Sequence, residues 1–223
     1  MKGYLYIKRF FDVLFAVLGL IFASPILLLV AITIKLDSKG PVLFLHERLG
    51  KDARVFRFCK FRSMSVGAEK TGTGVYSGKN DPRVTRVGRV LRALSIDEIP
   101  QLINVIRGEM SLIGPRPPLT YHPWPIEEYT DEQKKMFCVR PGLTGWAQVN
   151  GRRTVEWNKR IEMNCWYADH VSFLLDLKIF FLTFWVVLRG EDNLNAAQTA
   201  NNMAAQPKER AKEEEKEKET VTV

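Results

Sequence analysis

The longest apolar run in the chain covers residues 13–34, 22 positions without a charge, rich in Leu, Ile, Val, Phe and Ala. As a helix it would extend about 33 Å, enough to cross the hydrocarbon core of a bilayer. Ser24-Pro25 lies in its middle. Proline removes a backbone donor and crowds the preceding turn, so the pattern predicts a break there, with the Ser24 hydroxyl available to a freed backbone group. A secretory signal is the first rival, because Lys2, Lys8 and Arg9 resemble its basic start. Against it, the run is too long and no small-residue cleavage pattern follows. A buried core helix is the second rival and is usually shorter. Lys35, Lys39, Arg48, Lys51 and Arg54 make the far flank basic as well. A plain crossing should be asymmetric in Lys and Arg, so matched flanks favour a re-entrant helix-break-helix over a straight span.

Beyond Gly40-Pro41, residues 42–44 and 55–62 read as short strands around a Gly50-Lys51-Asp52 turn. The second alternates apolar with basic positions, which puts Lys60 on the face opposite Arg57; a half-exposed strand with solvated lysines stays open. Residues 67–82 carry Gly67, Gly72, Gly74, Gly78 and Pro82 and predict a mobile, lid-like loop. Arg83, Arg86, Arg89 and Arg92 recur every third position among Val84, Val87, Val90, Leu91 and Leu94, the spacing of an amphipathic helix with one cationic face. Residues 99–113 predict an apolar-rich helix ending at Gly108 or running toward Gly114. Residues 173–188 are apolar apart from Asp176, Lys178 and Thr183 and too short to span. They suit a helix lying in the headgroup layer, with a core helix as the alternative. The fold expected is α/β and mainly helical: a membrane segment over 1–38, a catalytic domain over 39–194 with interfacial amphipathic helices, and a charged, disordered or helical tail over 195–223.

Composition adds an electrostatic constraint. Thirty-three Lys and Arg against 25 acids give a net charge of +8, which favours phosphates, anionic headgroups or nucleic acid without choosing among them. Cys59, Cys138 and Cys165 are scattered and odd in number, suggesting neither a disulfide framework nor a zinc site. Neither a P-loop nor a GxGxxG fingerprint is present, so any nucleotide is held by other means.

The candidate chemistry centres on Ser95-Ile96-Asp97-Glu98. One reading is a helix capping box, although Pro100 would then fall inside the helix. The other is catalytic: Asp97, kept ionised by a helix end and by Arg92, is a nucleophile toward phosphorus, and the adjacent acids suit magnesium. Gly114-Pro115-Arg116-Pro117-Pro118 holds Arg116 in a rigid extended turn suited to gripping a phosphate, or merely turns the chain with the arginine solvated. Residues 140–152, with Arg140, Thr144, Gln148 and Arg152, resemble a binding loop.

In order along the chain, the broken apolar segment at Ser24-Pro25, Lys60-Phe61-Arg62-Ser63-Met64, Arg92-Ala93-Leu94-Ser95-Ile96-Asp97-Glu98-Ile99-Pro100-Gln101, Gly114-Pro115-Arg116-Pro117 and Arg140-Pro141-Gly142-Leu143-Thr144-Gly145 resemble the small monotopic polyprenyl-phosphate phosphoglycosyl transferases, bacterial sugar transferases that start glycan assembly. The resemblance covers residues 4 to about 190. It implies that Asp97 attacks the sugar-bearing phosphate of a UDP-sugar, UMP leaves, and an undecaprenyl phosphate takes the phosphosugar from the aspartyl enzyme. It implies that Glu98 supports magnesium or proton handling and that Lys60, Arg92 and Arg116 hold phosphates or nucleotide. The expected partners are a UDP-sugar, a polyprenyl phosphate and membrane lipids, not nucleic acid, with a homodimer left open. The expected place is the cytosolic face of the bacterial inner membrane. A membrane-tethered polyanion-binding protein built on the arginine stripe is the competing reading.

Overall fold

The computed structural model describes residues 2–71, 81–150 and 156–189. Arg152 and the 195–223 tail lie outside the described residues, as do residues 72–80 of the glycine-rich loop. The architecture is mainly helical with two small sheets, as the sequence predicts.

Helix α1 (Lys2–Asp37) is one element with Pro25 inside it. The helix-break-helix expected at Ser24-Pro25 is therefore not seen as two separate helices. Proline at 25 leaves the carbonyl of Ile21, its partner four residues back, without a backbone donor. Ser24 Oγ donates to that same carbonyl at 2.7 Å, so the hydroxyl supplies the missing bond. Around it Ile21, Phe22, Ile26, Leu28 and Leu29 are exposed, so much of the middle of α1 faces away from the protein, although Leu27 packs on the cluster around Val30. Both of its ends lie against the protein. Ala16 packs into a cluster with Phe56, Phe58, Val105 and Met110, whereas Val30 and Ile34 pack with Phe61 and Leu91.

Strands β1 (Leu43–Leu49) and β2 (Val55–Phe61) form an antiparallel hairpin pairing Phe44 with Lys60, His46 with Phe58 and Arg48 with Phe56. Opposed residues share a face, so His46, Arg48 and Lys60 stand on one side and Arg57 on the other, as the alternation requires. The outer edge of β2 is closed by Asn104, which accepts from Cys59 N at 3.0 Å and donates to Arg57 O at 2.7 Å.

Helix α2 (Arg86–Ala93) starts three residues later than the arginine spacing suggests, because Thr85 caps it by accepting from Gly88 N at 2.9 Å. Gly88 is required by proximity: a Cβ there would sit 1.9 Å from the Ser63 carbonyl oxygen. The four arginines do not make one cationic face. Arg83 is locked on Asp81 at 2.7 Å and on the carbonyls of Ala68 and Thr71, Arg86 and Arg89 are exposed, and Arg92 is partly buried near Asp97.

A 3-10 helix (Ile96–Gln101) then leads into α3 (Leu102–Arg107), which stops at Gly108 in a left-handed conformation with φ 86°. Of the two ends the sequence allows, the helix takes Gly108, and the apolar stretch beyond it is strand β3 (Ser111–Ile113), parallel to β4 (Gly142–Thr144). Helix α4 (Asp131–Lys134) lies in the crossover between them; α5 (Trp146–Asn150), α6 (Trp157–Asp169) and α7 (Phe173–Arg189) follow. On α7, Ile179 and Asp176 face inward while Phe173, Leu174, Leu177, Phe180, Phe181, Phe184 and Trp185 are exposed, an apolar side turned outward.

The N-terminal half of α1 is fixed by a buried polar network that the sequence does not announce. Asp176, 5% exposed, accepts from Tyr4 Oη at 2.6 Å and Tyr167 Oη at 2.7 Å and pairs with Lys8 Nζ at 2.8 Å. Asp12, 4% exposed, accepts from Ser111 Oγ at 2.6 Å and Leu112 N at 3.1 Å. Lys8 and Arg9 read from sequence as part of a basic flank. The fold instead spends them on internal partners, since Arg9 donates to the Val105 and Ile106 carbonyls at the end of α3. At the other end of α1, Arg62 donates to the carbonyls of Ser38 and Lys39.

Candidate active site around Asp97 and Glu98

The 3-10 helix packs on the β2 face that carries Lys60, which brings the acid pair of one element against the cation of the other. Ser95 precedes it with φ 56° and makes no side-chain cap, so the capping-box reading of Ser95 and Glu98 does not hold. Pro100 explains why: a chain that needs tighter turns and has lost one backbone donor adopts the 3-10 form. Asp97 is only 7% exposed. Burial and the neighbouring Glu98 raise its pKa above the usual carboxylate range, while Lys60 and Arg92 pull it back. The sequence predicts a simply ionised aspartate; the fold makes its ionisation depend on those two cations. Lys60, over the Phe44 ring at 5.5 Å, is in turn lowered to about 8 by burial against the attraction of Asp97.

Glu98 is more open and meets Arg116 Nη2 at 3.3 Å. Pro115 and Pro117 are fully buried on either side of an exposed Arg116, so the prolines do hold one guanidinium out of a rigid frame. The frame is anchored by a residue the sequence reading left in the basic flank. Arg48 Nη1 donates to Pro117 O at 2.6 Å, its Nε donates to His46 Nε2 at 2.7 Å, and its guanidinium lies over Phe58 at 5.1 Å. Burial and Arg116 lower it to about 9, and burial beside Arg48, Lys60 and Arg116 lowers His46 to about 2. His46 is accordingly a neutral ring among cations. The strand expected over 42–44 continues to Leu49, and pairing with β2 puts His46 and Arg48 on the face of Lys60.

Lys60, Arg92, Asp97, Glu98 and Arg116 therefore converge. The loop residues do not join them as expected. Arg140 donates through Nε to Gly108 O at 2.9 Å, at the far end of α3. Thr144 shares a 2.8 Å hydrogen bond with Thr183 and so pins β4 to α7. Gln148 buries both amide atoms without a partner among the described residues. Close approach fixes the described part of this loop: a Cβ on Gly145 would lie 1.9 Å from Gly114 O.

What the converging set offers is a shielded carboxylate with cations placed to gather phosphates. Comparison with known proteins agrees with that chemistry. Residues 3–190 match the family described as bacterial sugar transferase. The chain is 40% identical over 200 residues to EpsL, an uncharacterized sugar transferase of Bacillus subtilis, covering 90% of this chain and 94% of the relative. It is 46% identical over 184 residues to the undecaprenyl-phosphate glucose phosphotransferase of Komagataeibacter xylinus, and 42% identical over 182 residues to the UDP-glucose:undecaprenyl-phosphate glucose-1-phosphate transferase of Escherichia coli. Each of these two alignments covers 79% of this chain but only 35% and 39% of the relative, so the chain spans less than half the length of these larger proteins. With a match across nearly the whole described body and a relative of the same size at 40% identity, the chain belongs to the bacterial sugar transferase family.

Proposed function

We propose that the chain moves a sugar 1-phosphate from a UDP-sugar to undecaprenyl phosphate through a covalent aspartyl intermediate. The observation that carries this reading is the buried Asp97 facing Lys60 and Arg92, with Glu98 and Arg116 alongside. An Asp97 carboxylate oxygen bonds to the phosphorus that bears the sugar. The bond from that phosphorus to the bridging oxygen breaks, and UMP leaves with the electron pair. A phosphate oxygen of the polyprenyl carrier then attacks the same phosphorus and frees Asp97. Lys60 and Arg92 hold the nucleophile ionised, and Arg116 offers its planar guanidinium to the diphosphate. The named reactions of the Komagataeibacter and Escherichia relatives support this donor and acceptor class.

The same site fits magnesium. Among the described residues no cluster of three or more acidic, His or Cys side chains exists, which excludes a closed cage there. Two adjacent acids suit an ion that keeps its waters and shares substrate phosphates, with Glu98 the more accessible ligand. When bound, magnesium neutralises charge on the departing phosphate.

The topology we infer is re-entrant at the cytosolic face of the inner membrane. Helix α1 has buried partners at Asp12 and Ala16 and again at Val30 and Ile34, all in one body, and 36 residues would reach about 54 Å if straight. A helix crossing about 30 Å of hydrocarbon would leave one of those sets on the far side. A turn near Ser24-Pro25 instead keeps both with the body and gives only the exposed middle to lipid.

Two experiments test these readings. Detergent-solubilised protein with magnesium and a matching UDP-sugar is expected to exchange labelled UMP into that UDP-sugar without any polyprenyl phosphate. UMP release that strictly requires the acceptor, with no exchange, rejects the covalent step. For topology, single cysteines at Lys2 and Lys39, in a background lacking the natural three, are expected to react with an impermeant maleimide only in inside-out vesicles. Labelling from opposite sides rejects the re-entrant reading.

A further inference from the structure

The second cationic centre of the molecule lies away from Asp97. Arg9 and Arg140 converge on the C-terminal end of α3, where Arg9 takes the Val105 and Ile106 carbonyls and Arg140 takes Gly108. These guanidiniums feel each other's charge. They border a shallow cleft of about 40 Å³, open to solvent, whose charged walls are Lys8, Arg9, Lys51, Arg140 and Asp12. Asp12 is occupied by Ser111 and Leu112 N and Lys8 by Asp176 at 2.8 Å, which leaves Arg9, Lys51 and Arg140 as the cations around the cleft, the two guanidiniums held only by neutral carbonyls. Such an arrangement favours an anion that neutralises several of them at once. Asp97 stands near the start of the 3-10 helix, whereas Arg9 and Arg140 sit at the far end of α3, the helix that follows it.

The rim says what carries the anion. Val171 and Leu5 line the cleft, Tyr4 meets Phe173 edge-on at 6.5 Å, and Phe173, Leu174, Ile7 and Phe10 are exposed. Charged floor and apolar lip together match a phosphate attached to acyl chains, not a soluble one. We propose that this cleft binds the headgroup phosphate of an anionic phospholipid, with its chains over the first turns of α1 and α7. The site is separate from the transfer centre and would seat the domain at a fixed depth in the headgroup layer.

The test uses the full chain in a neutral detergent, with thermal unfolding as the readout. Dihexanoyl phosphatidylglycerol, added below its micelle concentration, is expected to raise Tm saturably by about 3 °C, as a ligand of the folded state does. The phosphatidylcholine analogue, whose choline adds a cation, is expected to give under a third of that shift. Lys51→Gln, at an exposed residue outside the α3 cap, is expected to weaken binding several-fold, and Arg140→Gln to remove it. Arg116→Gln, which strips a cation from the Asp97 cleft, is expected to leave the shift intact. Loss of the shift in Arg116→Gln places the lipid at the transfer centre and overturns the proposal. An equal shift from inorganic phosphate at the same concentration overturns the lipid assignment. So does a phosphatidylglycerol shift unchanged in both Lys51→Gln and Arg140→Gln. None of these outcomes depends on whether UMP exchange occurs.

Discussion

Asp97→Asn is expected to lower UMP release by about a thousandfold or more, since removing a covalent nucleophile costs far more than removing a binding contact. Asparagine matches aspartate in size and keeps an oxygen to accept the backbone N–H that the Asp97 carboxylate receives, so an unchanged Tm should accompany the loss. The electrostatics give a second signature. Asp97 must be a carboxylate to attack, and burial with Glu98 raises its pKa, so activity rises with pH through that raised value. Lys60 must stay cationic to hold that carboxylate, and its pKa near 8 sets the falling limb. Lys60→Met removes the falling limb and moves the rising limb to higher pH, because one of the two charges that pull Asp97 down is gone. Turnover of Asp97→Asn within tenfold of the parent protein would sink the nucleophile assignment. A Lys60→Met profile with both limbs unmoved would sink its coupling to Asp97.

The site was legible where the chemistry is concentrated in short strings, and less so where it depends on packing. Asp97, Glu98 and Arg116 stand out because a Ser-x-Asp-Glu start with Pro100 conflicts with an ordinary helix and because three prolines frame one arginine. Lys60 followed from strand alternation alone. Arg48 and His46 did not, because their role comes from pairing across the hairpin and from the approach of Pro117, a contact 69 residues away in sequence. Arg140 and Thr144 were misplaced for the opposite reason: a glycine-rich string looks like an open loop, whereas Gly114, Gly142 and Gly145 are small so that β3 and β4 can touch. In the fold, β2 followed its period and α3 took the Gly108 end, whereas β1 runs five residues past the strand read over 42–44. Strand β3 was not legible, since Ser111–Ile113 is apolar enough for either state and its parallel partner lies 31 residues on. The apolar run identified α1, but periodicity cannot tell whether a charged flank is solvated or internal. Lys8 and Arg9, basic flank residues in the sequence, are internal in the fold.

The partner that takes Lys8 inside is the residue whose loss the fold should tolerate least. Asp176 gathers two tyrosine hydroxyls and a lysine at once, and it joins α7 to α1 and α6. Asp176→Ala leaves Lys8 with only a 3.9 Å approach to Asp12 and strands both hydroxyls, although Tyr167 retains the Ile113 carbonyl at 3.2 Å. Removing one partner of a buried pair costs about 3–5 kcal/mol, because the charge left behind has been taken out of water. For a chain of this size that corresponds to a Tm fall of roughly 10 °C. The loss should not be additive with Lys8→Met: the double variant Lys8→Met and Asp176→Ala is expected to regain about half the stability, since no buried charge is then unpaired. Simple additivity, or an Asp176→Ala variant as stable as the parent, would show that the network is not what holds α1 and α7 together. Because α7 carries the outward apolar row from Phe173 to Trp185, loosening it should also reduce retention on lipid vesicles while Asp97 remains intact. A variant that binds vesicles poorly yet still exchanges UMP in detergent would separate seating in the membrane from the chemistry.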